Sequence, residues 1–384
     1  MYANPVFMQI KYIILFVFLL FLPTILCSQW IPQKLLPSTQ IAGNDSNKLS
    51  FSFEMIGFFK NNEYFGPLEK GRTLPGTKVL PKLVYQVNNN FRAELGAYSI
   101  YYSGEQEKGK AYVDGVFARM QYSPKPELNL VLGNIYGGVN HRLIEPLYQW
   151  ERQFVERPES GLQVIFQNER YFADTWINWK RYIERGDSVP EVLTFGFSLD
   201  AKLTKPKNYF QVSIPVQLLI NHSGGQIDTS DEPMVVKGNL ATGICVERFL
   251  KHRFFESIAL KTYLTGYYDK FSNKKIRPYN KGWGAYPVVQ VNTPLFSLMT
   301  GYWYAERFYS LEGEQLFGSF NPNYPSEKIP VRKLITCKLI YSQQLLKNLT
   351  IGAQVETYSD LKLGPTDYSF GLFLRFDQDF ILKK

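Results

Sequence analysis

From residue 49 onward, apolar and polar residues alternate with a period of two, the repeat of a strand whose two faces meet different surroundings. Leu193, Phe195, Phe197, Leu199, Ala201 and Leu203 fall on one face; Thr194, Gly196, Ser198, Asp200 and Lys202 fall on the other. The next segment repeats the scheme, with Phe210, Val212, Ile214, Val216, Leu218 and Ile220 against Gln211, Ser213, Gln217 and Asn221. Sixteen such segments can be placed, over 49–59, 80–88, 91–102, 112–122, 127–135, 160–168, 171–182, 192–204, 208–221, 236–248, 253–268, 284–293, 296–305, 331–344, 348–359 and 368–380. Many exceed the five or six residues usual for a strand in a soluble protein and reach the roughly 9–11 that a tilted strand needs to cross a bilayer.

The connections alternate as well. Even-numbered segments end in tight turns such as Asn89-Asn90, Glu169-Arg170 and Pro294-Leu295, whereas odd-numbered ones run into long polar loops, the two longest spanning 136–159 and 306–330. An up-and-down barrel produces this rhythm, with short periplasmic turns and longer external loops, while Greek-key sandwiches have no reason to keep it. The pattern predicts an all-β fold, a closed antiparallel transmembrane β-barrel of about 16 strands over residues 49–384. Apolar residues should face lipid and polar ones the lumen, with Phe58, Phe59, Tyr101, Tyr102, Tyr267, Tyr268, Tyr302 and Tyr304 near segment ends as interfacial girdles.

The first 28 residues add an export route. Lys11 precedes an apolar run from Ile13 to Leu22, closed by Pro23, which reads as a signal peptide over 1–28, cut after Cys27 or Ser28 and followed by a periplasmic leader over 29–48. The run is too short for a spanning helix, which needs roughly 20 residues. Leu26 is a poor match to the small residue that a lipoprotein signal places before its cysteine, which argues against lipidation at Cys27.

Composition narrows the function classes. Aromatic residues make up 16% of the chain, which favours pleated, half-buried surfaces over helices. The net charge is +9, or +8 once Lys11 leaves with the signal, and no run of basic residues approaches the density of a nucleic-acid patch. Cys27, Cys245 and Cys337 have no metal or redox spacing, so no cofactor or metal is indicated. Three histidines, His141, His222 and His252, offer little for hydrolytic chemistry; only His222, Ser223 and Asp228 could be forced into a triad. The chain is therefore expected not to be an enzyme.

The alternating segments and the loop rhythm over 49–380 resemble a Gram-negative outer-membrane β-barrel of general-porin size. The phrase Leu132-Gly133-Asn134 through His141-Arg142-Leu143-Ile144-Glu145-Pro146-Leu147, with Gly161-Leu162-Gln163, is similar to outer-membrane proteins of Bacteroidota. Porin-type chains end on an aromatic residue, whereas here Phe380 is followed by Ile381, Leu382, Lys383 and Lys384.

That resemblance implies a cell-outer-membrane channel for passive diffusion of small hydrophilic solutes, narrowed by an inward third external loop. In that loop His141, Arg142, Glu145, Glu151 and Arg152 are the candidate constriction residues, because opposed charges across a narrow gap orient polar solutes. Charge on a lipid face costs roughly 2–4 kcal/mol at midplane for Arg or Lys. Hence Arg92, Glu94, Asp174, Lys180, Asp200, Lys202, Lys237, Glu247, Lys261, Lys338, Glu356, Arg375 and Asp377 are assigned to the lumen wall. The alternative is an occluded barrel whose loop 306–330, with Tyr309, Phe317, Phe320 and Tyr324, serves surface-glycan binding or assembly. Lipid and small solutes are the expected partners, with nucleic acid excluded.

Overall fold

The computed structural model describes residues 41, 46–105, 113–205, 208–230, 234–270, 277–324 and 326–383; the signal peptide and nearly all of the leader lie outside them. Sixteen strands follow in order: β1 (Lys48–Glu63), β2 (Thr73–Asn88), β3 (Phe91–Tyr102), β4 (Gly115–Lys125), β5 (Leu128–Asn134), β6 (Ser160–Gln167), β7 (Tyr171–Arg181), β8 (Val192–Lys202), β9 (Phe210–Ser223), β10 (Val235–Phe249), β11 (Ser257–Asp269), β12 (Lys281–Asn292), β13 (Phe296–Glu306), β14 (Val331–Leu346), β15 (Leu349–Asp360) and β16 (Thr366–Lys383). Each pairs antiparallel with its sequence neighbours. The sheet closes where β1 meets β16, from Leu49↔Lys383 to Glu63↔Tyr368. Closure leaves no row of unpaired backbone N–H and C=O groups, the condition for a sheet to stand in hydrocarbon.

All sixteen expected segments are strands. The largest difference is β2, which begins at Thr73 rather than at 80. Pro75, Gly76 and Pro81 hide the alternation there, and the β2–β3 ladder skips Leu80 and Pro81 because proline has no N–H to donate. Gly96 faces this gap, where a Cβ would come within 2.1 Å of the Pro81 carbonyl oxygen.

The distribution of polarity is the reverse of a water-soluble fold. Along β13, Phe296, Leu298 and Tyr302 are exposed, while Ser297, Met299 and Trp303 are buried. Along β11 the exposed residues include Leu264 and Tyr268, and the buried ones Lys261 and Thr265. An outer wall of greasy side chains around a polar inside is the arrangement of a barrel that meets lipid.

The expected girdle is partly realised. Phe59, Tyr101, Tyr268, Tyr302 and Tyr304 are on the outside, the last against the exposed Trp283, but Phe58 and Tyr267 are buried within, and Tyr102 lies edge-on to Phe58 inside the barrel. Adjacent strand residues point to opposite faces, so pairs such as Phe58-Phe59 cannot both meet lipid.

Candidate functional site: a loop-filled lumen and a groove in the outer wall

Two long loops at the same end of the barrel fold inside it. The third loop, residues 135–159, leaves β5, makes a short turn of helix over Gly138–His141 and another, α1, over Arg152–Val155. Arg142 ends the first turn with a left-handed φ of 57°. The seventh loop, residues 307–330, opens on Arg307, also left-handed at φ 54°, and carries a single turn over Gln315–Phe317. Ile144, Leu147, Phe308, Phe317 and Phe320 are fully buried, as deep as any core residue of a soluble domain.

The loops fold as one body. Tyr148 and Glu312 form a parallel bridge. The Gln149 amide donates to the Glu312 carbonyl at 2.9 Å, and the Glu314 amide to the Glu145 carbonyl at 3.1 Å. Ser310 Oγ donates to the Pro146 carbonyl at 2.5 Å. Aromatic packing anchors this body to the wall: Trp303 meets Phe308 and Phe317 edge-on and donates its Nε1–H to the Phe317 carbonyl at 2.9 Å. Phe154 stacks on Phe58 at 5.3 Å. Trp150 meets Phe373 at 5.7 Å.

Ion pairs supply the specificity. One chain runs through the barrel: Glu145 to Lys338 at 2.8 Å, Lys338 to Glu356 at 2.5 Å, Glu356 to Lys60 at 3.0 Å, Lys60 to Glu151 at 3.3 Å and Glu151 to Arg72 at 2.6 Å. A second centre is Glu312, paired with Arg152 and Lys180 and accepting from Asn221 at 2.9 Å. Burial alone would raise the Glu312 carboxyl, but the two cations hold it at about 2. The third is His141, whose Nδ1 lies 2.7 Å from Asp174 Oδ2 and whose Nε2 lies 3.3 Å from Glu159 Oε2. Its ring is stacked on Trp176 at 3.5 Å. Burial would lower its pKa, yet Glu159 and Asp174 outweigh burial and raise it to about 9, so His141 is an imidazolium at neutral pH. Removing one member of such a buried pair leaves an uncompensated charge, which costs about 3–5 kcal/mol.

Of the expected constriction residues, His141, Glu145, Glu151 and Arg152 come together in this inward body. Arg142 stands apart, its guanidinium 3.4 Å over the Phe172 ring and 3.3 Å from Gln167 Oε1. Among the wall residues, Glu94 pairs with Lys82, Arg92 and Arg119, and Glu356 holds the central chain. Arg375 bridges to Asp377 on its own strand at 3.3 Å. Asp200 and Lys202 are half-buried on β8, Glu247 and Lys261 are buried on β10 and β11, and Lys237 lies 5.8 Å from the Tyr309 ring.

The sequence pattern did not single out Lys60, Lys78, Glu312 or Glu314, and it offered loop 306–330 as a surface platform only in the alternative reading. Tyr309, Phe317 and Phe320 are buried, and Phe320 stacks on Tyr309 at 4.7 Å, so these rings present nothing to a glycan. Two signals pointed inward: the apolar content of residues 308–320, and Tyr267, Tyr286, Trp303 and Tyr358 in the otherwise polar phase of their strands.

Two spaces remain. Inside, a cavity of about 180 Å³ lies between the third loop and the inner wall of β1, β2, β4 and β16. Outside, a groove of about 580 Å³ crosses β1 to β5, with Ala93, Ala118 and Gly133 between the larger Leu49, Leu83, Tyr85, Leu95, Met120 and Leu132. As for nucleophilic chemistry, His141 is held by two carboxylates, His222 Nε2 contacts the Gly224 carbonyl at 3.0 Å and His252 Nδ1 accepts from the Phe254 amide at 3.1 Å.

The sequence profile of the lipid A 3'-O-deacylase-type family matches residues 41–384, the whole barrel. The chain belongs to this family. It is a family of enzymes, which corrects the expectation that the chain is not one: that expectation rested on the want of a recognisable nucleophile motif, a signal that many hydrolases do not carry in local sequence. No curated protein matches the chain. Among solved structures, a BenF-like porin from Pseudomonas fluorescens Pf-5 is similar at 7% identity, TM-score 0.50, over 88% of this chain and 100% of that one. The outer membrane protein OprD from Pseudomonas aeruginosa is similar at 8% identity, TM-score 0.46, over 89% and 98%. At such identities the likeness is one of fold, a sixteen-strand barrel of outer-membrane porin type.

Proposed function

We propose that this chain is an outer-membrane hydrolase that removes an ester-linked acyl chain from lipid A. The observation that carries this reading is the family match across residues 41–384. Two structural features support it. The third and seventh loops occupy much of the lumen, which leaves the lipid-facing wall and the rim as the broad surfaces open to a large partner. The wall carries an apolar groove of about 580 Å³, suited to an extended acyl chain. The test is mass spectrometry of lipid A from outer membranes with and without the full-length protein. The expected result is a new species lighter by one acyl chain, appearing only with the protein; lipid A of unchanged mass would overturn the reading.

A second reading, passage of small hydrophilic solutes past an inward third loop, is favoured by the charged cavity beside that loop. It requires the loop body to move or to leave a path around it. Planar-bilayer recording tests it: current steps from the intact protein, or steps that appear on deleting residues 140–156, are the expected result, and silence from both sinks it.

A further inference from the structure

The inner cavity is bounded by more positive than negative groups, and the pairing described above leaves the surplus in identifiable places. Lys82 is engaged by Glu54, which also lines the space, and by Glu94, Arg119 by Glu94, Arg152 by Glu156 and Glu312, and Glu159 by His141. Lys78 is different. Its ammonium donates to two backbone carbonyls of the third loop, Gln153 at 3.0 Å and Glu156 at 2.7 Å, and among the described residues it has no ion-pair partner. An ammonium has three protons to donate, and two carbonyls bring no net charge to balance it. Beside it, Arg152 Nε and Gln153 Nε2, on residues that line the same cavity, are buried N–H donors without an acceptor among the described residues. Arg157 also borders the space, with its guanidinium on the Lys180 carbonyl rather than on a carboxylate.

A buried donor without an acceptor costs about 1–3 kcal/mol, more when the group is charged. Two such donors beside an ammonium without an ion-pair partner are explained if an acceptor-rich group belongs there. The volume of about 180 Å³ holds roughly six waters at about 30 Å³ each. It therefore takes a tetrahedral oxyanion with part of its hydration shell. We propose that this cavity is a binding site for a phosphate-type oxyanion, held by Lys78 from β2 and by Arg152 and Gln153 from the third loop. Arg is suited to forked contacts with such oxygens and Lys acts as a point charge. The site also couples ligand to loop, since Lys78 already holds α1 and its exit by their carbonyls. The inference does not depend on the hydrolase reading, because it concerns a different space, on the other side of the barrel wall from the groove.

The experiment is calorimetric titration of the folded full-length barrel in neutral detergent micelles. One arm uses inorganic phosphate and a second uses micelles doped with phosphatidic acid, which presents the same group on a lipid. Saturable binding in either arm, weakened at least tenfold in Lys78→Met and kept within threefold in Lys78→Arg, is the expected result, and the arm that binds says whether the oxyanion is free or lipid-borne. Heat-modifiable migration on gels verifies that each variant barrel is closed. Absence of saturable binding in both arms would overturn the proposal, as would equal affinity in Lys78→Met and the parent.

Discussion

Glu314 shows how a single carboxyl can set the pH response of the loop body. Gln149 donates to its Oε2 at 2.7 Å and Tyr64 at 3.4 Å, but its Oε1 is buried without a partner and, among the described residues, no cation pairs with it. Burial raises its pKa to about 8; Lys60 works against that rise, while Glu151, Glu145 and Glu69 add to it. The docked loop thus keeps a proton that an undocked loop gives up near 4.5, and docking weakens as pH climbs from about 4.5 to about 8. His141, raised to about 9, acts in the same direction later: its contribution is complete below about 6.5 and gone above 9. Glu312, lowered to about 2, acts oppositely, contributing above about 4.5 and failing as the solution approaches pH 2. Tryptic cleavage of the folded barrel after Arg152, taken relative to cleavage of an unfolded peptide at each pH to remove the protease's own pH dependence, should therefore accelerate between pH 5 and 9. Glu314→Gln should abolish the part of that rise below pH 8 and leave the later part. An unaltered profile in the variant would show that Glu314 does not control docking.

At the scale of the element, the two inward loops are held by different means, and the difference explains what could be read in advance. The seventh loop is a small apolar core: Phe308, Phe317 and Phe320 against Trp303, Tyr286 and Tyr267. Phe317→Ala should cost about 3–5 kcal/mol of docking, the usual price of deleting a buried ring. Hydrogen exchange should report it as lost protection over residues 308–321 while the strand ladders stay protected; retained protection would mean the ring is not the anchor. The strands themselves were legible because period-two alternation is local, and a single pair of faces decides it. The inward turn of the third loop followed from the resemblance to general porins, while its mixed charge over 141–159 marked only which side chains would need partners there. The seventh loop was not legible, since its aromatic residues read equally as solvent-facing or buried until Trp303 and Tyr286 are known to face it from strands β13 and β12. Lys60 was lost for a simpler reason: the alternation was ended at Phe59, one residue before the inward ammonium that joins Glu151 to Glu356.

For the whole molecule, the surroundings of the outer wall matter most, and the same substitution separates the possibilities. Leu264 lies near the middle of β11 with 62% of its surface exposed, between outward neighbours on closed ladders to β10 and β12. In a water-soluble protein, exchanging so exposed a leucine for arginine would stay within about 0.5 kcal/mol of neutral. In lipid it should cost roughly 2–4 kcal/mol, falling toward zero for positions near either interface. Reversible unfolding from lipid vesicles, followed by tryptophan fluorescence, can measure Leu264→Arg beside Tyr268→Arg, which sits four residues closer to the long-loop end. A large penalty for the first with a smaller one for the second would place β11 across the bilayer at the depth its sequence implies. Equal, small penalties would mean that water covers this face. The acyl-chain role proposed for the groove on the same outer wall would then lose its physical basis, because a hydrocarbon tail reaches it only from within a membrane.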